Sequence, residues 1–98
     1  MPFGTFVNEI PPFVFLLIHL VAFVLGALFA RRSFAAGRSL LGWGFVAYAL
    51  AEISYMTYHL DWTVFLFAHT VSEVLDLVAF VLVFSAAVVR ATAPEASR

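Results

Sequence analysis

Three long apolar runs separated by short polar connections take up nearly the whole chain. The first, residues 13–30, is entered through Pro11 and Pro12 and closed by Arg31 and Arg32. Proline suits the first position of a helix, because the N–H it lacks has no intrahelical partner there. A polar connection at 33–38 contains Gly37; the second run covers about 40–59, and Asp61 marks the following turn. The third run begins near Trp62 and continues to Val89, with Arg90 as its stop, and residues 91–98, small and polar with Pro94, read as a frayed tail.

In hydrocarbon, backbone amides must be satisfied within the segment or in a closed barrel, and these runs exceed the roughly 10 residues of a barrel strand. The pattern therefore predicts an all-α membrane protein with three transmembrane helices, at about 12–31, 40–60 and 62–90, in an antiparallel bundle forming one domain over 1–98. The third run is longer than the about 20 residues a span needs, so it has to tilt or project at its 62–67 end.

Composition supports lipid as the solvent: 64% of residues are hydrophobic and 11% charged, whereas a soluble domain carries charge on about a quarter of its residues. All five basic residues are arginines, Arg31, Arg32, Arg38, Arg90 and Arg98, and in a three-span topology they share one side. The arginine bias predicts an amino terminus outside and a carboxyl terminus in the cytoplasm of a cytoplasmic-type membrane. Tyr55, Tyr58 and Trp62 fit an outer aromatic belt, and Trp43 an inner one. The amino terminus lacks the basic region and cleavage site of a secretory signal, so the first run reads as a retained span.

A net charge of −1 without a basic stripe argues against a nucleic-acid partner. The absence of cysteine excludes disulfides, thiolate metal sites and a cysteine nucleophile. There is no Gly-rich phosphate loop and no serine paired with a base in a recognisable motif, so no enzyme is read.

Against this background the polar residues inside the runs call for partners or a role. On the third helix His69, Ser72, Glu73 and Asp76 lie within about a 100° arc, at about 100° per residue. On the second, Tyr48, Glu52, Tyr55 and His59 recur at intervals of four, three and four. The first contributes His19, on a face with Phe15, Ala22, Gly26 and Ala30. A central Asp facing lipid costs about 2.5–3.5 kcal/mol on the insertion scale, so these faces are expected to turn inward and form a polar seam. Counted from the arginine stops at about 1.5 Å per residue, His19, Glu52 and Asp76 fall in a middle layer, His59 and His69 in an outer layer, and Glu73 between them.

The plainest use of the seam is packing through mutual hydrogen bonds; on that reading His59 is interfacial and Ser72 bonds its own helix backbone. A second use is a metal or ligand site: His69 and Glu73 stand at i and i+4, and His19 and Glu52 could complete a shell for zinc, iron or manganese. Haem would need two histidines on different helices, for which His19 and His69 are the pair. The stretch Leu16-Leu17-Ile18-His19-Leu20 resembles the pigment-ligand stretch of bacterial light-harvesting polypeptides over five residues. Those polypeptides have one span, and no function is carried over. A third use is a proton or cation relay through Glu52, Glu73, Asp76 and the histidines, which in three helices requires an oligomer or partner subunit. Small-residue strips at Ala22, Gly26 and Ala30, and at Ala47 and Ala51, admit a close helix neighbour, either within the chain or in a homo-oligomer or larger membrane complex.

The expectation is thus a small polytopic membrane protein, an oligomerising or accessory subunit, with a buried His/carboxylate seam. The seam binds a metal ion, haem or another small ligand; the alternatives are an oligomeric conductor and a purely structural subunit.

Overall fold

The computed structural model describes residues 3–93. A short 3-10 turn, Thr5–Glu9, precedes three α-helices: α1 (Pro12–Ala35), α2 (Ser39–His59) and α3 (Phe65–Thr92), with no strand among the described residues.

The start of α1 is where the prolines put it, with Pro11 as the cap and Pro12 as the first helical residue. Its end is not. Arg31 and Arg32 do not stop α1, because arginine is a good helix former whose aliphatic stem covers apolar surface while its head reaches water. Ser33, expected in the connection, is helical and donates its hydroxyl to the Phe29 carbonyl at 2.7 Å. The helix closes instead at Gly37, whose φ of +74° allows the Gly37 N–H to reach the Phe34 carbonyl at 3.0 Å and the Arg38 N–H the Ser33 carbonyl at 2.9 Å. This is the paired-bond C-terminal motif that a left-handed residue makes possible.

Helix α2 ends the same way. The Asp61 N–H reaches the Tyr58 carbonyl at 3.0 Å and the Trp62 N–H the Thr57 carbonyl at 2.9 Å, with Asp61 itself at φ 63°. The third helix begins at Phe65 rather than 62, since the residues after that turn continue as a connection in which the Thr57 and Thr63 hydroxyls meet at 3.0 Å. Arg90 does not stop α3, which runs to Thr92; the rest of the expected tail, residues 94–98 with Arg98, lies outside the described residues.

Helix α2 packs against both α1 and α3, which do not pack against one another. The close contacts are made by small side chains. A Cβ on Gly26 would come within 3.0 Å of the Tyr48 ring, and one on Gly44 within 2.7 Å of Val83 Cγ2 and 3.2 Å of the Val83 backbone nitrogen. Ala30, Ala47, Ala49, Ala51, Ala68 and Ala79 make up the buried apolar set, together with Ser33 and Ser72. Large apolar residues such as Ile18, Leu28, Leu77 and Phe84 face outward. Small residues inside and large ones outside is the arrangement that packing in lipid selects, where hydrophobic burial gives helices no reason to associate and close backbone approach does.

Two of the helices, α1 and α3, are long and apolar enough to cross a membrane. Helix α2 is less apolar, with Glu52, Tyr48, Tyr55 and Tyr58 among its 21 residues. The strips expected to admit a neighbouring helix lie inside the chain: Gly26, Ala30, Ala47 and Ala51 are buried and Ala22 is partly covered.

Candidate functional site

Phe45, Tyr48, Glu52, Tyr55 and His59 recur at intervals of three and four along α2 and so occupy one helix face. Phe45 and Tyr48 floor an open groove with α1 on one side and α3 on the other, and Tyr55 extends this valley by meeting His19 of α1 and Glu73 of α3, while α1 and α3 each pack on α2 but not on each other.

In the polar half of the valley, His19 of α1 and Glu52 of α2 are paired through Nδ1 and Oε2 at 2.5 Å, with side chains 19% and 12% exposed. The pair is thus largely shielded, the condition under which a charge-assisted hydrogen bond counts. Tyr55 joins it from below: its ring stacks on His19 with centroids 5.0 Å apart and planes 16° from parallel. The Tyr55 hydroxyl donates to Glu73 Oε1 on α3 at 3.2 Å. One tyrosine on the central helix therefore touches a histidine on one wall and a carboxylate on the other.

His59 is not confined to an outer interfacial position, nor in a layer apart from His19. Its ring stacks on His19 at 5.3 Å and on Phe15 at 5.2 Å, giving a column in the order Phe15, His59, His19, Tyr55. Helical side chains lean toward the amino end of their own helix. In α2 this carries the His59 ring back toward Glu52.

His69 takes no part in this column. It stacks on Phe65 of its own helix at 5.2 Å, away from the His19–Glu52 pair it was expected to join. Ser72, fully buried, does not bond its own helix either; its hydroxyl donates to the Ala51 carbonyl of α2 at 3.0 Å. Ala51 has no side chain beyond Cβ to keep α3 away from that carbonyl. Asp76 lies further along α3 and borders the apolar half of the valley with Tyr48.

A metal ion needs three or more donors converging on one point. Among the described residues no three His, Asp or Glu side chains converge in that way. The shell of His19, Glu52, His69 and Glu73 is not assembled, since His69 belongs to a different contact. His19 has its Nδ1 engaged by the Glu52 carboxylate, the orientation that presents Nε2 to a metal in metalloproteins. His69, the histidine expected to pair with His19 across a haem, stacks on Phe65 of its own helix instead.

Phe15 shares the His19 face by its spacing of four, whereas composition singles out neither Phe29 nor Phe45 among the twelve phenylalanines. Phe45 continues the Tyr48–Glu52–Tyr55 face by one step, a signal that periodicity could have supplied. Phe29 has no such mark, since it sits in an apolar stretch of α1 with no polar residue one helical turn before it.

The fold and the site define a small helical bundle with two helices able to cross a membrane and a polar valley on its central helix. No protein-family model, no curated protein and no solved structure matches the chain.

Proposed function

We propose that the chain is a small polytopic membrane protein, an oligomerising or accessory subunit whose His/carboxylate seam binds a small ligand. In this reading all three helices cross the membrane as an antiparallel bundle, with the amino terminus outside and the arginine-bearing ends in the cytoplasm of an inner or plasma membrane. Arg31, Arg32, Arg38 and Arg90 supply the inward bias.

The observation that carries the proposal is the contact of Tyr55 with both His19 and Glu73. Polar groups from three helices meet on one open face, and Glu73 remains exposed there. In hydrocarbon an exposed carboxylate at that depth is unfavourable, so the face is expected to be covered by a ligand or another subunit. Of the ligand classes, an organic molecule suits the valley better than a bare metal ion, for which no third donor is at hand.

Elemental analysis and a visible absorption spectrum of the protein purified in mild detergent separate the classes. Bound metal or haem that disappears in His19→Ala assigns the seam to an inorganic or haem ligand. An organic ligand extracted from the preparation, and absent from His19→Ala or Asp76→Asn, assigns it to an organic one. A protein carrying none of these, with an unfolding midpoint unmoved by added metal, haem or amphiphiles, would overturn the proposal.

A second reading is an oligomeric proton or cation conductor. It is favoured by the succession of titratable groups His59, His19 and Glu52, continued through Tyr55 to Glu73. In reconstituted vesicles Glu73→Gln and Asp76→Asn would then abolish flux. A purely structural subunit loses neither ligand nor flux in these variants, only assembly.

A further inference from the structure

The other half of the valley is a groove of about 430 Å³ between α1 and α3. Its walls are apolar and rich in aromatic rings: Phe29 from α1, Phe45 from the floor, and Phe80 and Phe84 from α3, whose rings lie 4.5 Å apart. Two polar groups border it, the Asp76 carboxylate and Tyr48. Among the described residues no side chain hydrogen-bonds Asp76, and the arginines stand at the far ends of the helices. Gly26 forms part of the wall, and even one added Cβ there would press on the Tyr48 ring.

Several occupants can be weighed on charge and depth. Asp76 is the twelfth residue of the 28-residue α3 and so sits near its middle, beyond the reach of a phospholipid headgroup if α3 spans the bilayer. An acyl chain would fill the apolar walls and leave the carboxylate unanswered. A second copy laid face to face would bring another Asp76 and Glu73 toward this one, setting like charge against like. A metal ion finds no set of three converging His, Asp or Glu donors there among the described residues. A molecule with one positive centre and an apolar body answers both halves at once. The charge pairs with Asp76, the aromatic faces attract a cation and accept hydrocarbon, and the volume falls within the range of small-ligand sites.

We propose that the groove between α1 and α3 binds a lipophilic organic cation, its charged centre at Asp76 and its body against Phe29, Phe45, Phe80 and Phe84. This rests on the reading of the valley as a ligand site and specifies the ligand's chemistry.

The probe pair is tetraphenylphosphonium and tetraphenylborate, which share a shape and differ in the sign of the charge. Equilibrium dialysis of the full chain in a mild nonionic detergent, against protein-free micelles, measures both. The expected result is saturable phosphonium binding, preferred over borate by about tenfold or more. Asp76→Asn should lose about tenfold, and Glu9→Gln, outside the groove, should change nothing. Phe80→Leu lies on an exposed surface and leaves the core intact, so it serves where Asp76→Asn fails to fold; it should weaken the phosphonium several-fold through loss of the ring face.

Equal binding of both probes, or phosphonium binding unchanged in both Asp76→Asn and Phe80→Leu, overturns the proposal. If phosphonium does not bind but the purified protein carries another ligand that His19→Ala removes, the cation assignment falls and the seam stands as a ligand site. If neither is found, both fall.

Discussion

His19 and Glu52, 33 positions apart in sequence, meet through Nδ1 and Oε2 at 2.5 Å and join α1 to α2 in the polar half of the valley. Both side chains are largely covered, so the pair is expected to hold the two helices in register as well as to orient the imidazole. His19→Ala, Glu52→Ala and the double variant form a cycle whose coupling energy should be about 1–3 kcal/mol, measured by reversible unfolding in detergent. Additive single effects would mean that the contact does not contribute.

Ser72→Ala removes the bond from a fully buried hydroxyl to the Ala51 carbonyl. The Ala51 carbonyl keeps its place in the α2 helical ladder, so the loss should be modest, about 0.5–1.5 kcal/mol. Ser72→Leu has to push α3 away from α2 and should cost more. If Ser72→Leu were as stable as the native chain in the same measurement, the close approach of α2 and α3 would be wrong.

Two of the glycines at helix contacts, Gly26 and Gly44, should respond differently to alanine. At Gly44 the new methyl meets Val83 Cγ2 at 2.7 Å and backbone at 3.2 Å, so α3 itself must shift. Overpacking of that kind costs about 1–3 kcal/mol. At Gly26 the nearest atoms are the Tyr48 ring at 3.0 Å, which can turn, and Ala49 Cβ at 3.3 Å, a smaller overlap than at Gly44, and the gain in helix propensity of about 1 kcal/mol offsets much of the strain. Thermal unfolding should therefore rank Gly44→Ala below Gly26→Ala, and the reverse order contradicts the packing described.

The two left-handed turn residues offer a further comparison. Gly37→Ala places a side chain at φ +74° and should destabilise by about 1–2 kcal/mol. Asp61 already bears that conformation at φ 63°, so Asp61→Gly should shift stability by no more than about 1 kcal/mol in either direction. A large loss in Asp61→Gly would show that the aspartate side chain, and not the backbone geometry, holds the turn.

Because the chain has no cysteine, topology can be tested with single cysteines introduced one at a time. Trp62→Cys should react with a membrane-impermeant maleimide in intact cells, and Ala36→Cys only after permeabilisation. The opposite pattern inverts the proposed orientation; equal labelling of both in intact cells removes the three-span arrangement.

Much of this was open to reading from local chemistry. Pro12 at a helix start, Asp61 at a turn, and the four-three-four spacing of Tyr48, Glu52, Tyr55 and His59 are all short-range features, and each stands where that logic puts it. The misplaced helix ends have the same origin. Arginines after an apolar run suggest a stop, yet arginine carries a helix onward as readily as leucine. The Cα of His59 lies near the end of α2, as its sequence position implies, while the lean of its side chain returns the ring to His19.

Periodicity along a single helix fixes which residues share a face, and so the amino-acid sequence by itself determined three helices, their turns and the polar face of α2. It is silent on the rotation and axial register of one helix against another, and those decide every polar partner. Gly26 and Gly44 let α1 and α3 approach α2 closely enough for His19 to find Glu52, Glu73 to find Tyr55, and Ser72 to find the Ala51 backbone, while His69 turns to Phe65. Only the tertiary structure could make those assignments, since each depends on distances of a few ångströms between segments many residues apart.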